Sequence, residues 1–117
     1  QMCIRDRCMP AGKKTCSKLN ELSSHTIKTI IVGTHPSALP ERTLKEEPYD
    51  FVCQGEGPIT IVNLIDHIKN NKIKLEEIPG LWYFDHEKNI KSNKRAPMFE
   101  NLDEDLSGQA WKLLDMK

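Results

Sequence analysis

The sequence lacks any long run of hydrophobic residues and any excess of one charge. Its longest aliphatic run is Ile30-Ile31-Val32, whereas a membrane-spanning helix needs about 20 apolar residues. The 17 basic side chains are balanced by 17 acidic ones, so no long-range positive field attracts nucleic acid or an anionic membrane surface. We therefore expect no membrane span, no nucleic-acid or membrane partner and, by default, a cytoplasmic location.

Cysteine patterns typical of metal sites and disulfide frameworks are also absent. The spacings of Cys3, Cys8, Cys16 and Cys53 match neither paired Cys-x-x-Cys zinc motifs nor a regular disulfide framework. We predict free thiols, with Cys16 on the inner face of a helix and Cys53 at the end of an apolar strand. The sequence also contains no P-loop and no dinucleotide-binding fingerprint.

The length of 117 residues is that of one compact domain. Residues 1–7 carry charges where a signal peptide would need an apolar segment, so export has no support. We expect residues 1–8 to be non-native or disordered, and the chain to be a piece of a longer polypeptide.

Hydrophobic spacing predicts alternating helices and strands in the first two thirds of the chain. A helix is expected over 10–23, with Cys16, Leu19 and Leu22 inward. A strand buried on both faces is expected over 28–32. A stiff, proline-restricted loop follows over 34–40, and Pro40 opens a short helix.

The next segment contains the clearest helix signal. A second strand is expected over 49–53, followed by a turn at 54–57. Pro58 suits a first helical position, and Asn70-Asn71 suits the helix end. One apolar stripe should pack against a sheet. Its members are spaced by three and four residues: Ile61, Leu64, Ile65 and Ile68.

The pattern changes after Pro79-Gly80. Residues 81–84 and 90–92 are expected to form a hairpin appended to the sheet, in which Trp82, Tyr83 and Phe84 are packed and do not form a stacking platform. The fold class predicted is therefore α/β, namely the later half of a Rossmann-like parallel sheet with flanking helices, plus a β-hairpin and an extended C-terminal connector.

Two glycine-bearing loops follow the two predicted parallel strands. Gly33 ends the first strand, and Gly55 and Gly57 follow the second. Ligands of open α/β sheets collect outside the carboxyl ends of the strands, so both loops should open onto one edge. Glycine there either lets a ligand approach the backbone closely or simply permits a turn. The residues alone leave both explanations open.

Four segments in register resemble the cobalamin-binding domain of cobalamin-dependent radical S-adenosylmethionine enzymes. They are 31–41 (IVGTHPSALPE), 49–57 (YDFVCQGEG), 78–83 (IPGLWY) and 101–114 (NLDEDLSGQAWKLL). The resemblance implies a partial cobalamin-binding α/β domain over 9–78. Over 79–117 it implies a hairpin and a connector toward a catalytic barrel of the same polypeptide, which is a partner outside this chain.

The resemblance also implies which residues bind the cofactor. Gly33 and Thr34 stand where the family has a Gly-Gly pair beside the nucleotide tail of the corrinoid, and Thr34 departs from that pair. Gly55 and Glu56 match the family's Gly-Glu pair, where the Glu56 carboxylate either accepts hydrogen bonds from ligand hydroxyls or braces its own loop. The cofactor-binding residues predicted are, in full, Gly33, Thr34, His35, Gln54, Gly55 and Glu56.

His35 is not expected to bind cobalt, because it lacks an Asp partner that would fix its tautomer. The family's other pocket strands would precede Met9, and the Asp-x-His-x-x-Gly motif is absent. His25, His67 and His86 are expected to be solvated. The cations Lys88, Lys91, Lys94 and Arg95 are expected to form a solvated face. No metal ligand and no catalytic residue is predicted.

The function implied is the cobalamin-binding portion of a radical S-adenosylmethionine enzyme that performs a methyl transfer or a rearrangement. The [4Fe–4S] cluster and S-adenosylmethionine would belong to another part of that enzyme, because no Cys-x-x-x-Cys-x-x-Cys motif occurs here. The chain alone should be inactive. The alternatives are a stand-alone corrinoid carrier and a small α/β interaction module.

Overall fold

The computed structural model describes residues 8–24 and 26–100. Four α-helices, four strands and a 3-10 turn follow one another in this part of the chain. They are α1 (Met9–Ser23), β1 (Ile30–Ile31), α2 (Thr34–Ala38), α3 (Pro40–Glu46), β2 (Phe51–Cys53), α4 (Gly57–Asn70), the 3-10 turn (Leu75–Glu77), β3 (Leu81–Phe84) and β4 (Ile90–Ser92). Predictions for residues 1–7, His25 and the connector after Glu100 lie outside the described residues.

The strands form a single mixed sheet in the order β1-β2-β3-β4. β1 and β2 are parallel, with Ile30 opposite Phe51. β3 pairs antiparallel with β2, and β4 pairs antiparallel with β3. The predicted α/β class is confirmed. The hairpin, however, is not an appendage, because β3 donates and accepts hydrogen bonds along β2 and so extends the same sheet.

Local signals set the helix ends. Pro10 and Pro58 lie in the first turns of α1 and α4, where a missing N–H costs nothing. Asn71 ends α4 in the left-handed conformation at φ 52°, and its N–H donates to the carbonyl of His67. Asparagine is, after glycine, the residue that tolerates this conformation best. Both predicted helices are therefore found close to their expected limits.

Residues 34–38 form a short helix that only Leu39 separates from the next one, so the prediction of a stiff loop over 34–40 was wrong. Pro36 is the third residue of α2 and Pro40 the first residue of α3. The first amides of a helix have no carbonyl partner within that helix, so a proline at these places removes no helical hydrogen bond. Pro36 therefore lies in the first turn of α2, and Pro40 begins α3.

The core lies between α4 and the sheet. Leu64, Ile78, Leu81 and Tyr83 form its buried cluster. Four half-buried apolar residues pack around the cluster: Ile30, Phe51, Ile73 and Leu75. The two β1 residues are half-buried, so the expectation of a strand buried on both faces was also wrong. β1 is an edge strand of the described sheet and is paired on one side.

The inward faces of α4 and α1 are each displaced by one residue from the predicted stripes. Thr60 and Leu64 of α4 are buried, whereas Ile65 and Ile68 are 46% and 53% exposed. On α1, Cys16 is buried as predicted but Leu22 is 74% exposed. Each helix turns toward the sheet the side on which small or polar side chains bond to a neighbouring backbone carbonyl, namely Cys16 and Asn20 on α1 and Thr60 on α4.

On α1, these contacts are made with the segment before β2. The Cys16 thiol donates to the carbonyl of Pro48 (2.9 Å), as does the Asn20 side-chain amide (3.3 Å). A Cβ at Gly12 would lie 2.6 Å from the Tyr49 hydroxyl. The helix therefore approaches this segment through its small and polar row, and Leu19 and Leu22 turn outward.

Asp50 joins the beginnings of the two parallel strands. Its carboxylate accepts hydrogen bonds from the Thr29 amide (2.9 Å) and the Thr29 hydroxyl (3.0 Å). Asp50 precedes β2 and so lies at the opposite end of the strand from the glycine loop. Over the described residues, no helix is both long and apolar enough to cross a lipid bilayer.

Candidate functional site at the glycine-loop edge

The first glycine loop turns directly from β1 into α2. Gly33 has φ 133°, in the region that favours glycine, and a Cβ built there would meet no atom within 4 Å. Thr34 is the first residue of α2 and is not among the described residues with positive φ. The departure at Thr34 therefore causes no backbone strain, and its side chain adds bulk beside an open glycine.

The second glycine loop has the same character. Gly55 has φ 98°, and a Cβ at this position would also meet no atom within 4 Å. Glu56 follows as the N-cap of α4 with an extended backbone, and its side chain makes no capping hydrogen bond. The 14-residue helix α4 thus begins at this loop with its amide groups and positive dipole end.

Hydrogen bonds hold the two loops together. The Gly55 N–H donates to the Ser37 hydroxyl (3.0 Å), and the Gln54 side-chain amide donates to the Ser37 carbonyl (3.4 Å). A Cβ at Gly57 would lie 3.5 Å from the Val32 side chain. The two loops therefore share one edge of the sheet, as expected. We call residues 33–37 and 54–57 the glycine-loop edge.

Gln54 connects this edge to the hairpin. Its side-chain carbonyl accepts a hydrogen bond from the Trp82 indole N–H (3.1 Å), and its backbone N–H donates to the Gly80 carbonyl (2.8 Å). The side chain of Gln54 is thus occupied by protein partners at both ends. Sequence reasoning missed Ser37 and Trp82 as neighbours of the site, because no motif marks contacts between segments 17 to 28 residues apart.

A small cavity of about 240 Å³ lies beside the first loop. Its walls come from Met9 and Gly12 of α1, the stretch 31–36 and Tyr49. Burial raises the pKa of Tyr49, and the nearby Cys16 and Glu47 raise it further. The Tyr49 hydroxyl therefore remains protonated at neutral pH and can donate a hydrogen bond. Tyr49 was not among the predicted site residues.

His35 lies half-buried in the first turn of α2, and its backbone carbonyl accepts a hydrogen bond from Leu39 (3.0 Å). Within 8–24 and 26–100, no three His, Cys, Asp or Glu side chains are grouped so as to hold a metal ion. Cys8, Cys16 and Cys53 are free thiols. Burial raises the pKa of Cys53, which favours its neutral form.

A larger open groove of about 870 Å³ lies away from the glycine loops, between the end of α4 and the β3–β4 hairpin. His67 lines it, half-buried, with Nδ1 2.6 Å from the Ile73 carbonyl, so the expectation of a solvated His67 was wrong. Two lysines and two acids line the groove, and Lys91 contacts Asp85 (3.7 Å). It shares no residue with the glycine-loop edge.

No family model matches the chain. The chain is 34% identical over 73 residues to the anaerobic magnesium-protoporphyrin IX monomethyl ester cyclase of Synechocystis sp.. This alignment covers 62% of the chain and 14% of the cyclase.

Solved structures of the cobalamin-dependent S-adenosylmethionine radical enzyme OxsB match the fold. The aqua-cobalamin-bound structure matches with a TM-score of 0.60 and 25% identity, over 73% of this chain and 12% of that enzyme. The structure with aqua-cobalamin and S-adenosylmethionine matches with a TM-score of 0.57 and 27% identity, over 74% and 13%. The resemblance predicted from the sequence motifs is thus confirmed. This chain spans about one eighth of the OxsB chain.

Proposed function

We propose that this chain forms the cobalamin-binding portion of a radical S-adenosylmethionine enzyme, and that the glycine-loop edge contacts the cofactor. One observation carries the proposal. Two glycines with positive φ, each facing open space, follow neighbouring parallel strands and are hydrogen-bonded into one edge. The likeness to OxsB, an enzyme described as cobalamin-dependent, supports cobalamin as the ligand.

The residues of this edge fit a bulky, partly flat ligand. Gly33 and Gly55 expose backbone where any other residue would place a side chain in front of it. The adjoining cavity of about 240 Å³ is lined by apolar residues such as Met9, Ile31 and Val32, together with the polar side chains of Thr34, His35 and Tyr49. Such a mixture is usual for small-molecule sites.

The residues at the edge have three roles in this proposal. Gly33 and Gly55 permit close backbone approach. Glu56, whose carboxylate makes no cap bond, accepts hydrogen bonds from ligand hydroxyl or amide groups. Thr34, His35 and Gln54 shape the rim. When bound, cobalamin supplies an organometallic centre for methyl transfer or rearrangement, and these residues bind and orient it.

We further propose that the iron–sulfur cluster, S-adenosylmethionine and the substrate are bound by other parts of the parent enzyme. The chain matches only 12% of OxsB and 14% of the cyclase. The 117-residue chain should therefore bind cobalamin weakly, with a Kd on the order of 1 mM, and should catalyse no turnover.

Amide-resolved NMR titration of the 117-residue chain with aqua-cobalamin tests the proposal. The largest shifts are expected at the amides of Gly33, Gly55 and Glu56. Dicyanocobinamide, which lacks the nucleotide tail, should shift Gly33 less than aqua-cobalamin does, because the first loop is proposed to lie beside that tail. Shifts confined to the groove beside His67, or no shifts at millimolar ligand, would overturn the proposal.

Gly55→Phe should abolish these shifts, because the aromatic ring fills the space above the loop. His86→Phe adds the same ring at an exposed turn residue away from the edge and serves as the matched control. The thermal midpoint of each variant separates loss of binding from loss of folding. Equal losses of affinity and stability in Gly55→Phe would favour a glycine needed for the turn alone.

A further inference from the structure

We infer that Ser37 and Gln54 are positioning residues, which fix the second glycine loop relative to the first and couple both loops to Trp82 in β3. This inference rests on the proposed function, because the loops are positioned for cobalamin. It adds Ser37 and Trp82, two residues outside the predicted site, and it assigns Gln54 to holding the edge in shape.

The coupling is a continuous series of hydrogen bonds. The Ser37 hydroxyl accepts from the Gly55 N–H (3.0 Å), and the Ser37 carbonyl accepts from the Gln54 side-chain amide (3.4 Å). The other end of the Gln54 side chain accepts from the Trp82 indole (3.1 Å). One residue of α2 is thus joined to the β2–α4 loop and, through it, to the hairpin.

Gly55 depends on this series because no packing holds it. A Cβ at Gly55 would meet no atom within 4 Å, and Gly55 itself is exposed. Its N–H contact with Ser37 is therefore what orients the peptide plane between Gln54 and Gly55. That orientation decides which backbone groups face a ligand above the loop, so Ser37 acts on the ligand through Gly55.

A role in folding alone would look different. Ser37, Gln54 and Trp82 are all half-buried and none belongs to the buried core cluster. Removing the Ser37 hydroxyl should therefore change the thermal midpoint little, because the loop amide can bond to water instead. Its effects should appear at Gly55, at the Trp82 indole and in cobalamin affinity.

Ser37→Ala in the 117-residue chain tests the inference, with Ser92→Ala as the matched control at an exposed position of β4. Hydrogen exchange at the Gly55 amide should become about tenfold faster in Ser37→Ala. The Trp82 indole N–H resonance should shift, with Trp111→Phe used to assign it. Ser37→Thr retains a hydroxyl and should restore both signals.

Ligand titration supplies the second arm. Ser37→Ala should weaken the aqua-cobalamin shifts at Gly55 severalfold, while Ser92→Ala leaves them unchanged. Unaltered Gly55 exchange and an unaltered indole resonance in Ser37→Ala would overturn the coupling. Altered signals with unchanged cobalamin affinity would overturn the positioning role. Failure of the unsubstituted chain to bind cobalamin would instead count against the proposed function, and the ligand-free signals would still decide the coupling.

Discussion

Gly80 and Gly55 both have a left-handed backbone, with φ 73° and 98°, but their surroundings are opposite. A Cβ at Gly80 would lie 2.8 Å from the Gln54 carbonyl and 3.2 Å from the Thr60 hydroxyl, whereas a Cβ at Gly55 would meet nothing. Gly80 is enclosed where β2, α4 and the start of β3 meet. Gly55 lies at the open glycine-loop edge.

The enclosed region, which we call the Gly80 crossing, is made of Gln54, Thr60, Pro79, Gly80 and Lys94. Gly80 accepts a hydrogen bond from Gln54 (2.8 Å) and donates one to the Lys94 carbonyl (2.6 Å), and the Thr60 hydroxyl donates to the Pro79 carbonyl (2.7 Å). Glycine serves packing at this crossing. At the glycine-loop edge it leaves space that the fold itself does not use.

Gly80→Ala should have the largest effect of the changes considered. Alanine is strained in the left-handed backbone of this position, and its methyl group would clash with the Gln54 carbonyl. We therefore expect a loss of about 2–5 kcal/mol in the free energy of unfolding. Urea denaturation followed by circular dichroism measures it. An unchanged denaturation midpoint would mean that the Gly80 crossing accommodates a methyl group at little cost. Gly80 would then be no more crowded than Gly55.

Thr60→Val tests the crossing without adding bulk. Thr60 is fully buried, and valine keeps its shape while leaving the Pro79 carbonyl without its donor. The expected loss is about 1–3 kcal/mol by the same denaturation measurement. Thr26→Val is the matched control, because the exposed Thr26 hydroxyl also donates to a carbonyl, that of Ser23 (2.6 Å). Its effect should stay below about 0.5 kcal/mol.

Gly55→Ala carries the cost of the left-handed backbone without a steric clash. We expect a loss of about 1 kcal/mol, and subtracting it from the Gly80→Ala value isolates the contribution of crowding. The two variants should be measured side by side under identical conditions. A loss at Gly55 equal to that at Gly80 would show that conformation alone accounts for both glycines.

Asp85, in the turn between β3 and β4, belongs to neither region and should give the smallest effect. The amides of Asn89 and Glu87 donate to its carboxylate, and Lys91 lies nearby, so the pKa of Asp85 falls below its ordinary value of 3.8. A lowered folded-state pKa stabilises the fold at higher pH, and this stabilisation is lost as the pH falls through that pKa.

Carbon-detected NMR titration of the Asp85 carboxyl should give a pKa below the ordinary value of 3.8 for an aspartate. Asp85→Asn should remove a small part of the acid sensitivity of the denaturation midpoint and leave the midpoint at neutral pH only slightly lower. Titration of Asp85 at or above its ordinary pKa would contradict the hydrogen bonds from the Glu87 and Asn89 amides to its carboxylate.

Signals that depend on neighbours in sequence predicted much of the fold. The ends of α4 follow from Pro58 and Asn71, and the order of strands and helices follows from apolar spacing. The rotation of α4 does not, because the contact between Thr60 and Pro79 joins residues 19 apart in sequence. The spacing of Ile61, Ile65 and Ile68 is as regular as that of the true inner row, so periodicity could not distinguish them.

The candidate site was predictable to a similar depth. The loops containing Gly33 and Gly55 follow from the rule that ligands collect at the carboxyl ends of parallel strands, and the structure places them together. Ser37 was hidden because residues 34–40 were expected to form a loop, and a serine in a loop has no predictable partner. The docking of β3 on β2 brought Trp82 to Gln54 (3.1 Å), and no local pattern indicates that pairing.

β1 leaves one edge of the described sheet open to further pairing. Its two residues pair with β2 on one side, and in the described part of the chain no strand pairs with the other side. Such an edge presents backbone donors and acceptors to any extended segment that approaches it. An extended segment that reaches this edge, whether from the same polypeptide or from another copy, can therefore extend the sheet by pairing with β1.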